Sequence, residues 1–191
     1  QTDYIKEVEL DYTIGSVHFV DFLPNGEPWC IDCTNKVFEE GLTQIFKGDA
    51  KAAVTRYYEL IREMIDHTQP DIVGHVDRIR KCNVGNIFWN EKEDWYVEQI
   101  MLTLQTIADN QCIMEINTKG FYRKWEDDAY PRLWVVEEAL QKGIPVHAAS
   151  DAHHPKYLIG GFDFVHENLK KVGCKTSMHF DGKHWKEIPF V

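Results

Sequence analysis

Histidine, aspartate and arginine recur along this 191-residue chain just where an apolar run gives out. His18 falls at the end of TIGSVHF, and His75 follows Gly74 in DIVGHV. Asn117 closes CIMEIN, and Ser150-Asp151-Ala152-His153-His154 follows PVHAA. Imidazole and carboxylate are suitable ligands for Zn, Mn or Fe. A bound divalent ion lowers the pKa of its water and so generates hydroxide near neutral pH. An Asp and a His two residues apart at a strand end can face adjacent ions. Taken singly, a strand histidine is more often a structural residue, and the lesser reading of Asp151 is a helix cap beside a surface His153. The repetition of polar residues at four successive strand ends is what favours a metal site. Gly74 beside His75 allows the backbone to approach closely. Arg78 and Arg80 follow GHVD, and Arg123 lies in a basic, aromatic loop after EINTKG. A planar guanidinium pairs bidentately with phosphate oxygens, although a charged loop residue is as often simply solvated.

The elements that must position these groups alternate. Thr13 to Phe19, Asp71 to Val76, Cys112 to Asn117 and Pro145 to Ala149 read as buried strands, with a short last strand from Lys175 to His179. Thr34 or Asn35 caps a helix through Phe46, and Asp49 caps a longer one to about His67. Further helices are predicted from Lys92 to Asp109, from Pro131 to Lys142 and within 160–172. Pro131 suits a first helical turn and Gly143 a C-terminal cap. Asp21 to Thr34, with Pro24, Asn25, Gly26 and Pro28, reads as a loop. Strands alternating with helices argue for βα units and a parallel sheet. In such a barrel the C-terminal strand ends form the active-site face.

Composition narrows the class. Thirty-one acidic residues against 21 basic ones give a net charge of −10, which repels phosphate backbones and anionic membranes. No nucleic-acid or membrane partner is therefore expected, and no apolar run reaches the length of a membrane span. Five scattered cysteines suit reduced thiols in a cytoplasm better than a disulfide framework. Cys30-x-x-Cys33 sits in the Pro- and Gly-containing loop without a second ligand pair and reads as incidental. His147, inside an apolar strand, reads as a core histidine. Trp29, Trp89 and Trp125 either line a pocket for an imidazole or cover the barrel rim.

GSVHF, DIVGHVD, EINTKG and AASDAHHP, in that order, resemble the PHP (polymerase and histidinol phosphatase) superfamily, most closely its monofunctional histidinol-phosphate phosphatase branch. The resemblance runs from about Thr13 to Phe180. It implies an α/β fold, a distorted (β/α)7 TIM-like barrel formed by one domain over 1–191. It also implies two or three divalent metal ions (Zn, Mn or Fe) in a complete site. The implied reaction is hydrolysis of the small phosphate ester L-histidinol phosphate, in histidine biosynthesis, by a hydroxide held between metal ions. Carried over by position, His18 and His75 would ligate one ion, Asp151 a second and His153 a third. Arg123, with Arg78 or Arg80, would bind phosphate, and His154 could approach the substrate. Asn117 and Ser150 would orient the ligands from behind.

The departure from the family pattern is at the front of the chain. Seventeen residues precede His18, and they include no His. The family's His-x-His strand, a further His and a bridging Glu are not found there, and Glu7 and Glu9 lie too close to the strand to match. The chain also opens on Gln1, so an upstream portion is expected. Four barrel strands cannot close, so the first should carry an unpaired edge, inviting self-association or cover by a missing segment. The metal site of this chain alone should be incomplete and its catalysis weak. Two other readings stay open: a PHP phosphoesterase for another phosphomonoester or a nucleotide, and a degenerate PHP protein with a binding role.

Overall fold

A computed structural model describes residues 8–189; Glu7 lies outside them. Its centre is a parallel sheet of four strands, β1 (Ile14–Gly15), β4 (Ile72–Val73), β5 (Ile113–Asn117) and β6 (Val146–Ala149), ordered β1-β4-β5-β6. Ile14 pairs with Ile72, Ile72 with Ile113, and Met114 with Val146. Residues 72–73 and 113–117 are buried throughout, as expected for parallel strands covered on both faces. All four strands point one way, so every C-terminal end reaches one edge. Among the described residues β1 has a single neighbour, and Ile14 stays exposed on that side. No closed barrel forms from these strands.

The helices follow their start signals. Thr34 caps α1 (Asn35–Gln44) by accepting the Val37 N–H, and Asp49 caps α2 (Ala50–Thr68) by accepting that of Ala52. The helix α3 (Asp94–Asp109) packs against α2, with Tyr58 hydroxyl to Tyr96 hydroxyl at 3.3 Å and Arg62 donating to Thr103. A short α4 (Lys119–Tyr122) follows β5. Helix α5 (Leu133–Gln141) precedes β6, and α6 (Phe162–Lys171) precedes a hairpin of β7 (Thr176–Phe180) and β8 (Trp185–Pro189). No helix of the described residues is long and apolar enough to cross a membrane.

Four sequence expectations change. The predicted strand 13–19 is cut to Ile14–Gly15, because the chain turns away and forms an antiparallel hairpin, β2 (Phe19–Phe22) with β3 (Pro28–Cys30), inside the expected loop. The hairpin closes through Gly26, at φ +84°, and through Leu23 N–H to the Glu27 carbonyl at 2.8 Å. Helix α5 starts at Leu133 rather than Pro131, because Tyr130 still exchanges backbone hydrogen bonds with Asn117, at 2.7 and 2.9 Å. Cys30 and Cys33 are joined as a disulfide, whereas Cys82, Cys112 and Cys174 are free and buried. Trp29 and Trp89 are core residues rather than pocket walls.

Trp29 shows how tightly this end is built. Its indole N–H donates to the Val37 carbonyl at 3.0 Å, and a Cβ added at Gly41 would stand 2.1 Å from that nitrogen. We expect Gly41→Ala to destabilise the chain by about 1–3 kcal/mol through overpacking, although Ala is the better helix former. Urea unfolding checks it; a rise in midpoint would show that Gly41 is not pressed against Trp29.

Candidate metal and phosphate site

The C-terminal edge of the sheet gathers the chemistry. β1 ends three residues before His18, β4 two before His75, and β6 two before Asp151, while β5 ends on Asn117 itself. The His18 and His75 rings meet edge to face with centroids 4.9 Å apart. Gly74 lets β4 lie close to its neighbours: a Cβ there would be 3.3 Å from Ser16 and 3.4 Å from a Glu115 oxygen. His75 sits at φ +23° and is 6% exposed, and its Nδ1 has no hydrogen-bond partner. Burial, with help from the His18 and Arg78 charges, pushes its pKa down to about 4. The imidazole is therefore neutral at pH 7, and its Nδ1 makes no side-chain hydrogen bond. A neutral ring is the form that binds a cation.

Glu115 is a site residue that the sequence reading passed over. It lies mid-strand in CIMEIN, and its Oε2 accepts the His75 backbone N–H at 2.7 Å. Asn117 Nδ2 donates to its other oxygen at 3.2 Å, and Asn117 Oδ1 accepts the Lys119 N–H at 3.0 Å. Burial raises the Glu115 pKa to about 7, against the lowering pull of those hydrogen bonds, and the Asp151 charge adds to the rise. The one usable signal was a carboxylate inside a run otherwise apolar.

Asp151 and His153 form a second pair, with Asp151 at φ +47° and its carboxylate 3.5 Å from His153 Nδ1. Lys119, also not singled out from sequence, places its ammonium 2.9 Å from Asp151 Oδ2 and 3.2 Å from His153 Nδ1. This carboxylate and imidazole thus already hold a cation between them. Asp151 also acts electrostatically on both His75 and Glu115. Ser150 is buried beside it. His154 is exposed and caps the following 3-10 turn through Nδ1, accepting the Lys156 N–H at 3.3 Å.

His18 with His75 offers one place for a divalent cation, whereas a cation on Asp151 or His153 would have to displace the Lys119 ammonium that bridges them. The orphaned His75 Nδ1 is the sharpest sign of a missing partner. Among the described residues no group of three or more His, Cys, Asp and Glu side chains forms a cage.

The three arginines separate. Arg78 is buried, donates from Nε to Asp32 Oδ2 at 2.8 Å and leaves Nη1 unpaired. Its guanidinium lies 5.4 Å from the Trp125 ring centre; Arg123 approaches the same ring at 5.1 Å and Lys81 at 4.7 Å. Trp125 thus gathers three cations in a chain of net charge −10. Arg80 does not belong to this group. It is fully buried, ion-paired to Asp77 at 2.7 Å and Glu126 at 2.9 Å, and donates to the Ala129 carbonyl. Its fork is spent on structural partners, so it is removed from the phosphate-binding set. His147 is satisfied but only half-buried, not the core histidine expected, with Nδ1 2.7 Å from the Met178 carbonyl.

No protein-family model matches the chain. Among curated proteins it is similar to a probable histidinol-phosphatase of Schizosaccharomyces pombe, at 26% identity over 172 residues. That match covers 87% of this chain and 52% of the relative. The histidinol-phosphatase of Bacillus subtilis is 28% identical over 170 residues, covering 80% of this chain and 61% of its own length. A probable histidinol-phosphatase of Deinococcus radiodurans is 29% identical, at 88% and 57%. The chain therefore spans roughly half to three fifths of these relatives. Among solved structures, one from Listeria monocytogenes described as a histidinol phosphatase has a TM-score of 0.70 at 19% identity, covering 85% of this chain and 60% of that one. The histidinol phosphate phosphatase of Lactococcus lactis, complexed with Zn, L-histidinol and phosphate, has a TM-score of 0.62 at 15% identity, covering 97% and 65%. The structural likenesses establish the shared α/β fold. The chain is thus similar, over part of their length, to proteins named histidinol-phosphatase.

Proposed function

We propose that the protein carrying this chain is a metal-dependent phosphomonoesterase that converts L-histidinol phosphate to L-histidinol and phosphate. The observation that carries the reading is the buried His75, unpartnered at Nδ1, beside His18 and on the same sheet edge as Asp151 and His153. The curated relatives supply the substrate. Two or three divalent ions would complete the centre, and the zinc of the Lactococcus lactis neighbour makes Zn the first metal to test. When bound, such ions supply an activated water and neutralise charge on the phosphoryl group.

His18 and His75 would hold one cation, Asp151 a second and His153 a third, the last two once Lys119 has moved aside. Glu115 orients His75 by taking its backbone N–H, and Asn117 orients Glu115 in turn. Arg78 offers its unpaired Nη1 and Arg123 its exposed guanidinium to the phosphate oxygens. Placed before the substrate arrives, they stabilise charge without reorganising. Trp125 holds both at one mouth. The four-stranded sheet is taken as part of a distorted (β/α)7 barrel over one domain, with β1 as an edge for another copy or an upstream segment. A cytoplasmic location fits histidine biosynthesis.

Replacing Arg123 by Ala in the metal-loaded protein is expected to raise KM for histidinol phosphate about tenfold with a smaller change in kcat, because ground-state phosphate binding is lost. Steady-state kinetics decide it; unchanged KM and kcat reject the assignment.

The pH dependence of stability should report the buried pair. His75 binds a proton only below about 4 when folded but near 6.5 unfolded, so its contribution falls as pH drops from 6.5 to 4. Glu115, raised to about 7, runs the other way, losing stability as pH climbs from 4.5 to 7. In Glu115→Gln only the first slope remains. Metal-free protein of that variant should gain about 1–3 kcal/mol between pH 4 and 6.5, read by denaturant unfolding. A flat profile would show that His75 is not buried neutral.

A further inference from the structure

Asp32 touches two groups that the proposed reaction uses separately. Its Oδ2 accepts the Arg78 Nε–H at 2.8 Å and lies 3.3 Å from His18 Nδ1. The hydrogen bonds from His18 and Arg78 outweigh its burial and hold its carboxyl well below the usual carboxylate range. The turn that presents Asp32 is closed covalently, because the disulfide joins the residues on either side of it, Cys30 and Cys33. Cys30 Sγ lies 3.4 Å from Asp32 Oδ1. Lys81 donates to the carbonyls of Asp32 and Cys33, which ties the same turn to the segment Arg78–Cys82. Cys30 is half-buried but Cys33 is exposed, so a soluble thiol can reach the bond.

We propose that Cys30–Cys33 is a thiol–disulfide modification site that sets the position of Asp32 and, through it, of His18 and Arg78. A dithiol reductant attacks the Cys33 sulfur as thiolate. The protein S–S bond breaks and Cys30 leaves as thiolate, which takes up a proton. The reductant's second thiol then displaces Cys33 and departs as its own disulfide. Two electrons have passed to the protein sulfurs, and an oxidised dithiol reverses the step. With the bond open, the two side chains rotate independently and the Cys30 thiol becomes a donor that competes for Asp32 Oδ1. Arg78 Nε then lacks a fixed acceptor, and His18 lacks the carboxylate that fixes which ring nitrogen faces the cation position. Asp32 is a positioning residue in this scheme. Only its consequence for catalysis rests on the proposed function; the clasp itself is a property of the chain.

The test begins with the metal-free chain treated with oxidised glutathione in excess, then labelled with iodoacetamide under native conditions. Peptide mapping should find Cys30 and Cys33 unlabelled, and both labelled after reduction with tris(2-carboxyethyl)phosphine. NMR of the same two states should show the Arg78 Nε–H exchanging with solvent at least about tenfold faster in the reduced form, the loss of one charge-assisted hydrogen bond. Reoxidation should restore it, and Asp32→Ala should exchange fast in both states. The reversible comparison needs no variant, so misfolding of Asp32→Ala would not blunt it. Free thiols at both positions after oxidation, or Arg78 exchange indifferent to reduction, would overturn the proposal. Histidinol-phosphate hydrolysis by metal-loaded protein, oxidised against reduced, is the second arm, with at least a threefold fall in kcat/KM expected on reduction. If Arg78 responds but no form hydrolyses the ester, the clasp stands and the substrate reading fails. If a hydrolysing enzyme shows the same kcat/KM in both forms, the positioning role fails.

Discussion

Arg80→Met should cost about 3–5 kcal/mol of folding stability, a large part of the ~5–15 kcal/mol that holds an ordinary domain together. Arg80 is fully buried, and two carboxylates depend on it: Asp77 at 2.7 Å and Glu126 at 2.9 Å, themselves almost wholly enclosed. Asp77 has a second tie, the Arg132 backbone N–H at 3.0 Å, and Glu126 has the Arg132 guanidinium at 3.9 Å, but among the described residues no second cation is paired with Asp77. Burial raises the pKa of both acids even with Arg80 present. Without it they would take up protons, so the variant should be less impaired at pH 5 than at pH 8. Adding Asp77→Asn and Glu126→Gln should recover much of the loss, since removing all the charges is far less harmful than leaving some unpaired. Thermal and urea unfolding at the two pH values measure this. A loss under about 1 kcal/mol would mean that Arg80 reaches solvent after all, and its place among the phosphate ligands would reopen.

His75→Ala should lower histidinol-phosphate hydrolysis by at least about 100-fold, since even groups behind a metal ligand cost 10–100-fold when removed. The ring is buried, neutral and unpartnered at Nδ1, so deleting it removes a donor without stranding a hydrogen-bonded partner. The backbone N–H that serves Glu115 is untouched by the change. Zn content, measured after dialysis, should fall together with kcat. Retained metal and retained turnover would show that His75 is a packing residue.

The parts that sequence made legible are those governed by local rules. Asp49 and Thr34 announced their helices because a capping oxygen is a local requirement, and the four sheet strands stood out as apolar segments between them. Polar residues at their ends located the site edge, since parallel strands must all terminate on one side. The hairpin 19–30 was hidden because Pro24, Asn25, Gly26 and Pro28 read as loop, and the turn they make is the tip of paired strands. Arg78 and Arg80 could not be told apart from spacing. Only the fold shows that Glu126, from a distant loop, claims Arg80 while Arg78 turns to Asp32 and Trp125. Glu115, Lys119 and Asp32 were missed for one reason: each takes its role from a partner distant in the chain, His75, Asp151 and Arg78 at separations of 40, 32 and 46 residues.

The most direct test takes the protein that carries this chain at its native length, strips it with chelator and returns Zn stepwise while phosphate release from L-histidinol phosphate is followed. The account predicts no turnover without metal, recovery in proportion to bound Zn, and no recovery in His75→Ala. Undiminished hydrolysis after complete removal of metal, or a fully Zn-loaded protein that leaves histidinol phosphate intact, would contradict it.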